Sequence, residues 1–375
     1  MFKIDRNCIN KQRKKEIKEF EEKHPRSLAL FKKAENSLLN GVPMNWMTRW
    51  AGNFPIFVQE GSGAHFTDVD GNHFIDFCLG DTGAMAGHAP KSAVEAIAKQ
   101  AARGNTFMLP TEDALWVGEE LSRRFGLPFW QTALTATDAN RFALRWARQV
   151  TNRSKILVFN WCYHGSVDET IVTLIDGEPV AREGNIGPPV DPTVTTKVVE
   201  WNDISGLEKA LAPRDVACVL TEPALTNIGI VHPKPYYHQA LREITSQTDT
   251  LLIIDETHTI CCGPGGYTRE YGLKPDMITI GKPIASGVPA AVYGFSQEVA
   301  RLVQKNTDIE NADIGGTGGT LSGNALSIAA MKATLNNILT KESFDHMIKV
   351  ASRFEKSLTR IIEERNLPWY VSRLG

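Results

Sequence analysis

Four short apolar runs punctuate the chain, at Lys155-Ile156-Leu157-Val158-Phe159, Val216-Ala217-Cys218-Val219-Leu220, Leu251-Leu252-Ile253-Ile254 and Met277-Ile278-Thr279-Ile280. Each reads as a buried strand. From Lys91 onward they alternate with helical patterns, which predicts an α/β fold with a mostly parallel sheet and helices on both faces. Two helical stretches follow, one after Asn324 and one reaching about Glu364. At the other end, a connecting segment through about Pro55 leads to a short hairpin around Asp70-Gly71-Asn72. Before it, Lys11 to Lys23 mixes both charge signs and reads as a solvated helix rather than a basic interaction arm.

Where the runs end carries the chemistry. Leu251 to Ile254 leads into Asp255-Glu256, and Met277 to Ile280 leads into Gly281-Lys282. Open α/β sheets bind ligands in the crevice outside the carboxyl ends of their strands, so Asp255 and Lys282 are expected to face one cavity. Pyridoxal phosphate requires that pair: a lysine amine for the Schiff base, and a carboxylate for the protonated pyridine nitrogen. Taken alone, two strand-end charges fit a buried ion pair or ordinary surface residues at least as well. Upstream, Thr135-Ala136-Thr137-Asp138-Ala139-Asn140 precedes a helical pattern over about Arg141 to Val150. Unpaired amides and hydroxyls at a helix start suit a phosphate, although Thr and Asp are also standard capping residues.

With Phe66-Thr67-Asp68-Val69-Asp70-Gly71-Asn72-His73-Phe74-Ile75-Asp76-Phe77, Gly87-His88, Tyr163-His164-Gly165, Thr221-Glu222-Pro223, Ile254-Asp255-Glu256, Gly281-Lys282 and Gly319-Thr320-Leu321-Ser322-Gly323-Asn324, the chain resembles the class III aminotransferases of pyridoxal-phosphate fold type I. Within them it is most similar to the branch of glutamate-1-semialdehyde aminomutase and β-amino-acid aminotransferases. The resemblance implies a seven-stranded-type central sheet with a smaller α+β lobe: residues 1–85 contributing to the small lobe, 86–325 forming the large cofactor domain, and 326–375 beginning the C-terminal small domain. It also implies roles. Lys282 would form the Schiff base and then act as the base, Asp255 would hold the pyridinium proton, and Tyr163 would stack on the ring. Thr135, Ala136 and Thr137 would bind the phosphate, Asn227 the ring hydroxyl, and Thr320 the phosphate of a neighbouring subunit. Glu222 would order the surrounding shell.

The chain departs from the family pattern in three places. Ala136 stands where the phosphate loop usually has glycine, a poorer fit if that position needs positive φ or close backbone approach. Thr257 stands where valine usually meets the ring face, adding a hydroxyl that needs a partner if buried. Beyond Arg373-Leu374-Gly375 the family usually continues, so the small lobe is expected to be truncated, with Trp369-Tyr370-Val371 a strand lacking its partners. A fragment or natural truncation of a longer protein, a lobe supplied by another polypeptide, and a truncated non-catalytic cofactor-binding protein are all open on that basis.

Composition narrows the classes without choosing among them. The 375 residues, 42% hydrophobic, are enough for a large core, and a formal charge of −2 gives no support for nucleic-acid binding. No run approaches the roughly 18 apolar residues of a membrane span. Cys8, Cys78, Cys162, Cys218, Cys261 and Cys262 form no closely spaced framework, which suggests reduced thiols in a cytoplasmic protein. His258 with Cys261 and Cys262 lacks a second ligand pair at zinc-like spacing, so no metal is assigned. The glycine-rich Gly263-Pro264-Gly265-Gly266 and Gly315-Gly316-Thr317-Gly318-Gly319 do not follow strands in the dinucleotide pattern.

The resulting expectation is a pyridoxal-phosphate aminotransferase that moves an amino group from an amine or amino-acid donor to a carbonyl acceptor with ping-pong kinetics, or, as the alternative, an aminomutase. The family segment around Thr320 implies a homodimer with shared active sites. For the substrate, Arg49 lies near the place where relatives hold a carboxylate, with Trp46 or Trp50 shaping the pocket. A surface arginine packed on tryptophan fits the same residues.

Overall fold

The computed structural model describes residues 5–187, 191–308 and 310–375. They fall into two compact units, one of the described residues up to Asp81 with Gly87–Pro90, the other of Thr82–Ala86 with those from Lys91 onward.

In the first unit, α1 (Arg6–Lys23) buries no residue, as its mixed charges predict, and is capped by Asp5, whose carboxylate accepts from the amides of Asn7 and Cys8. Helix α2 (Pro25–Ala34) opens on a proline, whose missing N–H costs nothing there. Asp70 accepts from the next two amides, Arg26 at 2.7 Å and Ser27 at 3.0 Å. Strands β1 (Val58–Ser62), β2 (His65–Asp68) and β3 (His73–Ile75) form an antiparallel sheet. The hairpin turn expected at Asp70-Gly71-Asn72 is present. Gly71 has φ +85°, and the Asp68 carboxylate accepts from the amides of Asp70 and Asn72.

The second unit is built on a seven-stranded sheet. In chain order its strands are β4 (Phe129–Ala133), β5 (Lys155–Phe159), β8 (Thr196–Val199), β9 (Val216–Thr221), β10 (Leu251–Asp255), β11 (Met277–Ile280) and β12 (Ala291–Phe295), while β6 (Val172–Ile175) and β7 (Glu178–Ala181) make a separate hairpin. Spatial order is β4-β12-β11-β10-β9-β5-β8. The five strands from β11 to β8 run parallel, and β12 pairs antiparallel with both β11 and β4. All four apolar runs are therefore parallel strands of the centre, where both faces are covered and alternation is lost.

Helices α4 (Glu112–Phe125) and α5 (Ala136–Thr151) pack on the sheet, and α3 (Lys91–Ala101) packs on a later helix, Ala325–Asn337. Ala139, Ala143 and Ala147 are fully buried at four-residue intervals on α5, and these small side chains let the helix lie close across β9, β11 and β12. Its first turn thus arrives at the carboxyl ends of the central strands. The two later helices span Ala325–Asn337 and Lys341–Glu364. Residues 369–371 form no strand, contrary to expectation: they pair with no other strand among the described residues, and an extended segment without a ladder partner has no sheet hydrogen bonds. Trp369 and Tyr370 are exposed. Among the described residues no helix is long and apolar enough to cross a membrane.

Candidate active site

Strands β10 and β11 are parallel neighbours, with Asp255 opposite Thr279, so Asp255 and the Gly281-Lys282 step emerge at the same edge of the sheet. Asp255 is buried and held on both oxygens. One accepts from His164 Nδ1 and Asn140 Nδ2, each at 2.9 Å, and the other from the Thr257 amide at 3.0 Å. Asn140 is fixed in turn by the Thr279 hydroxyl, which donates to its Oδ1 at 2.6 Å. Burial opposes ionisation of Asp255, but the hydrogen bond and positive charge of His164 outweigh it and hold the carboxyl down to about 2. Burial likewise disfavours charge on His164, while Asp255 pushes the imidazole up to about 10. Each group thus favours the charged form of the other. Neither His164 nor Asn140 was assigned a role from sequence, although a polar Asn140 between the buried Ala139 and Phe142 of α5 was a readable signal.

Lys282 opens a short 3₁₀ turn, Lys282–Ala285, with φ +53°, an uncommon conformation for a side chain of its size. Its Nζ lies 2.5 Å from His258 Nε2, and His258 Nδ1 lies 2.9 Å from the Thr82 hydroxyl. The sequence raises His258 only as a metal-ligand candidate that it then rejects, so this contact is not foreseen from sequence.

Thr135 caps α5, its hydroxyl accepting from the Asp138 amide, and the first helical hydrogen bond runs from the Ala139 amide to the Thr135 carbonyl. The amides of Ala136 and Thr137 precede that bond and lie at the positive end of the helix. Ala136 is the first residue of α5 and takes no positive φ, so its methyl carries no backbone penalty. The space is made elsewhere. A Cβ on Gly281 would sit 2.9 Å from the Ala136 Cβ, and one on Gly165 would sit 2.1 Å from the Thr137 hydroxyl.

The loop from Trp161 to Ser166 joins these parts. Asn227 donates to the Trp161 carbonyl at 3.2 Å, His164 reaches Asp255, and the Ser166 amide donates to the Thr137 hydroxyl at 3.2 Å. Tyr163 lies between them, half-exposed. Glu222 follows β9, buried, and accepts from the Thr226 hydroxyl and amide; burial pushes it up to about 7, against the pull of the His164 charge. Thr320 is exposed and lines a cavity of about 450 Å³ with Phe107, Met108 and Thr132. Arg49 and Trp46 belong to the first unit, on an exposed turn.

These residues fit pyridoxal phosphate. Asp255 offers an ionised carboxylate at a strand end, Lys282 an amine at the neighbouring one, and α5 its first amides. The Thr257 hydroxyl is buried, with no hydrogen-bond partner among the described residues, which suits a ring edge or water alongside it.

Residues 46–375 match the family model for Aminotransferase class-III. Glutamate-1-semialdehyde 2,1-aminomutase of Persephonella marina is 34% identical over 360 residues, covering 94% of this chain and 82% of the relative. The crystal structure of a glutamate-1-semialdehyde aminomutase from Pseudomonas aeruginosa superposes with a TM-score of 0.97 and 48% identity, covering 100% of this chain and 84% of that one. A lysine-to-alanine variant of an aminomutase from the same organism, solved in complex with PMP, gives a TM-score of 0.96 at 47% identity with the same coverage.

Proposed function

The chain belongs to the class-III aminotransferase family, whose cofactor is pyridoxal phosphate, and from that premise we propose that it is an aminomutase of the glutamate-1-semialdehyde type. The observation that carries the proposal is the likeness over the whole chain to the Pseudomonas aeruginosa aminomutase, joined to the Asp255, His164 and Lys282 arrangement at one sheet edge. A two-substrate ping-pong transaminase is the second reading, favoured by the family description itself.

When bound, pyridoxal phosphate supplies an aldehyde that joins amines and a ring that accepts the electron pair left when a proton departs. The chain's own residues set the rest. Lys282 Nζ would hold the aldehyde and, once freed by substrate, would carry a proton between the substrate carbon and the cofactor C4′. Asp255 keeps a proton on the ring nitrogen. Its low proton affinity, maintained by His164 and Asn140, ensures that it meets the ring as an anion. The amides of Ala136 and Thr137 with the Thr135 and Thr137 hydroxyls take the phosphate, Tyr163 covers the ring, and Asn227 takes the ring hydroxyl. Glu222 braces the loop of Thr226 and Asn227. Arg49, with Trp46, is proposed for a substrate carboxylate on the resemblance alone. Thr320 is proposed to reach a second copy of the chain, a homodimer supported by the exposed Phe107, Met108, Leu109 and Leu321 around it.

The test supplies glutamate-1-semialdehyde alone. An aminomutase moves the amino group from C2 to C1 with no added acceptor, whereas turnover that requires an external carbonyl compound establishes the transaminase. Borohydride reduction and peptide mapping should place the pyridoxyl group on Lys282, and Lys282→Ala should lose it.

A further inference from the structure

Beside Lys282 stands a group that neither the cofactor chemistry nor the family description assigns. His258 Nε2 lies 2.5 Å from Lys282 Nζ, and the ring's other nitrogen lies 2.9 Å from the Thr82 hydroxyl. We propose that His258 is a positioning residue for Lys282, its ring steadied by Thr82 so that Nε2 accepts from the ε-amine and fixes where the lysine sits. The inference rests on the assignment of Lys282 as the cofactor lysine.

Three observations converge. First, a lysine amine ends a flexible four-carbon stem, so attack on an aldehyde or recovery of a proton depends on how much of the time it occupies the productive place. A hydrogen bond to a ring that is itself held restricts that freedom. Second, the donor pattern is self-consistent. An ammonium has no lone pair, so toward a charged Lys282 the imidazole must accept at Nε2, carry its proton on Nδ1, and donate to Thr82 Oγ1. Third, the backbone is held in unusual conformations at both ends of this chain of contacts. Thr82 is β-branched yet has φ +78°, and Lys282 has φ +53°. Such conformations persist where surrounding structure over-determines them, and they cluster at functional sites. Here they aim the Thr82 hydroxyl and the Lys282 stem at the same ring.

His258 also lies on the segment that follows Asp255, three residues on. The Asp255 carboxylate accepts from the Thr257 amide, which anchors the first step of that segment. One short stretch therefore delivers the partner for the ring nitrogen and the partner for the lysine.

The experiment follows the joining of Lys282 to pyridoxal phosphate in apoenzyme of the full chain, at one fixed neutral pH, by stopped-flow absorbance. The step forms a C=N bond between Nζ and the aldehyde carbon and releases the aldehyde oxygen as water. Pyridoxamine phosphate, which has no aldehyde and cannot make that bond, measures non-covalent affinity separately. His258→Leu is expected to slow capture about tenfold, the scale of one ordinary hydrogen bond, with pyridoxamine phosphate affinity within about twofold of wild type. His258→Gln, whose amide oxygen still accepts, is expected to recover most of the rate, and Thr82→Val to lie between. The proposal is overturned if His258→Leu captures at the wild-type rate. It is equally overturned if capture and pyridoxamine phosphate affinity fall in the same proportion, or if Gln rescues nothing, since either result makes His258 merely structural. A reduced label on a lysine other than Lys282 sinks the functional reading itself, and the peptide map of the same samples distinguishes that failure.

Discussion

His164 Nδ1 donates to Asp255 Oδ2 at 2.9 Å, both side chains buried, so this strand-end carboxylate is already paired within the chain. The Asn140 amide reaches the same oxygen. Asp255 stays ionised because its neighbours pay for its burial, and the remaining acceptor capacity of its two oxygens is available to a ring N–H.

That pairing predicts a pH dependence of stability. His164 is raised from its ordinary 6.5 to about 10 in the folded protein, so the unfolded chain loses this proton first as pH rises. The contribution is complete below pH 6.5 and fades as pH climbs toward 10. In apoenzyme melts, the stability advantage of wild type over His164→Gln is expected to shrink progressively across that window, by on the order of a few kcal/mol. Asp255, lowered from 3.8 to about 2, acts in the opposite sense, its contribution fading as pH falls through that interval. An advantage of constant size from pH 6 to 10 would show that His164 is neutral in the fold.

Asp255→Asn keeps the shape of the side chain but removes the charge. Turnover is expected to fall by about 10²–10³, the scale of losing one strong electrostatic stabiliser, while the pyridoxyl-lysine remains detectable after reduction. Single-turnover proton exchange on the substrate checks it. A loss below about threefold would move the cofactor partner elsewhere.

Gly281 and Ala136 share one space. A methyl on Gly281 would lie 2.9 Å from the Ala136 Cβ, and Gly281 has φ −139°, so crowding rather than a left-handed backbone opposes a side chain there. Gly281→Ala is expected to cost about 1–3 kcal/mol and to weaken cofactor retention. Adding Ala136→Gly should recover at least half of both losses. Additive losses in the double variant would show that the two residues do not compete.

Thr320→Val is expected to loosen cofactor retention several-fold and to make it more sensitive to dilution, because a homodimer that shares this residue loses a phosphate ligand at each site. Equilibrium dialysis across protein concentration, with sedimentation on the same samples, measures both. Unchanged affinity in a monomer would remove Thr320 from the site.

Much of this was legible in the residues. Unbroken apolar runs mark strands buried on both faces, and a charge at the end of such a run marks the carboxyl edge of the sheet, so that Asp255 and Lys282 share an edge could be read from sequence alone. The strands β4, β8 and β12 were not singled out. β4 reads Phe129-Trp130-Gln131-Thr132-Ala133, half-exposed at the sheet edge, and β8 is short and lies at the opposite edge, so neither gives a continuous apolar signal. β12 is apolar, but its antiparallel direction depends on its neighbours β11 and β4, which a run of residues does not encode.

The sequence by itself determined the class of sheet, the two charged strand ends and the capped helix start, because each follows from local periodicity or from a residue's own chemistry. Only the tertiary structure decided which groups tune those residues. His164 comes to Asp255 across 91 positions, Asn140 across 115, and Thr82 to His258 across 176. Such contacts depend on how α5 and the connecting loops pack at the carboxyl edge of the sheet. A hydrogen bond between distant residues leaves no period along the chain, so packing alone decides which donors hold the Asp255 carboxylate and which hydroxyl meets His258.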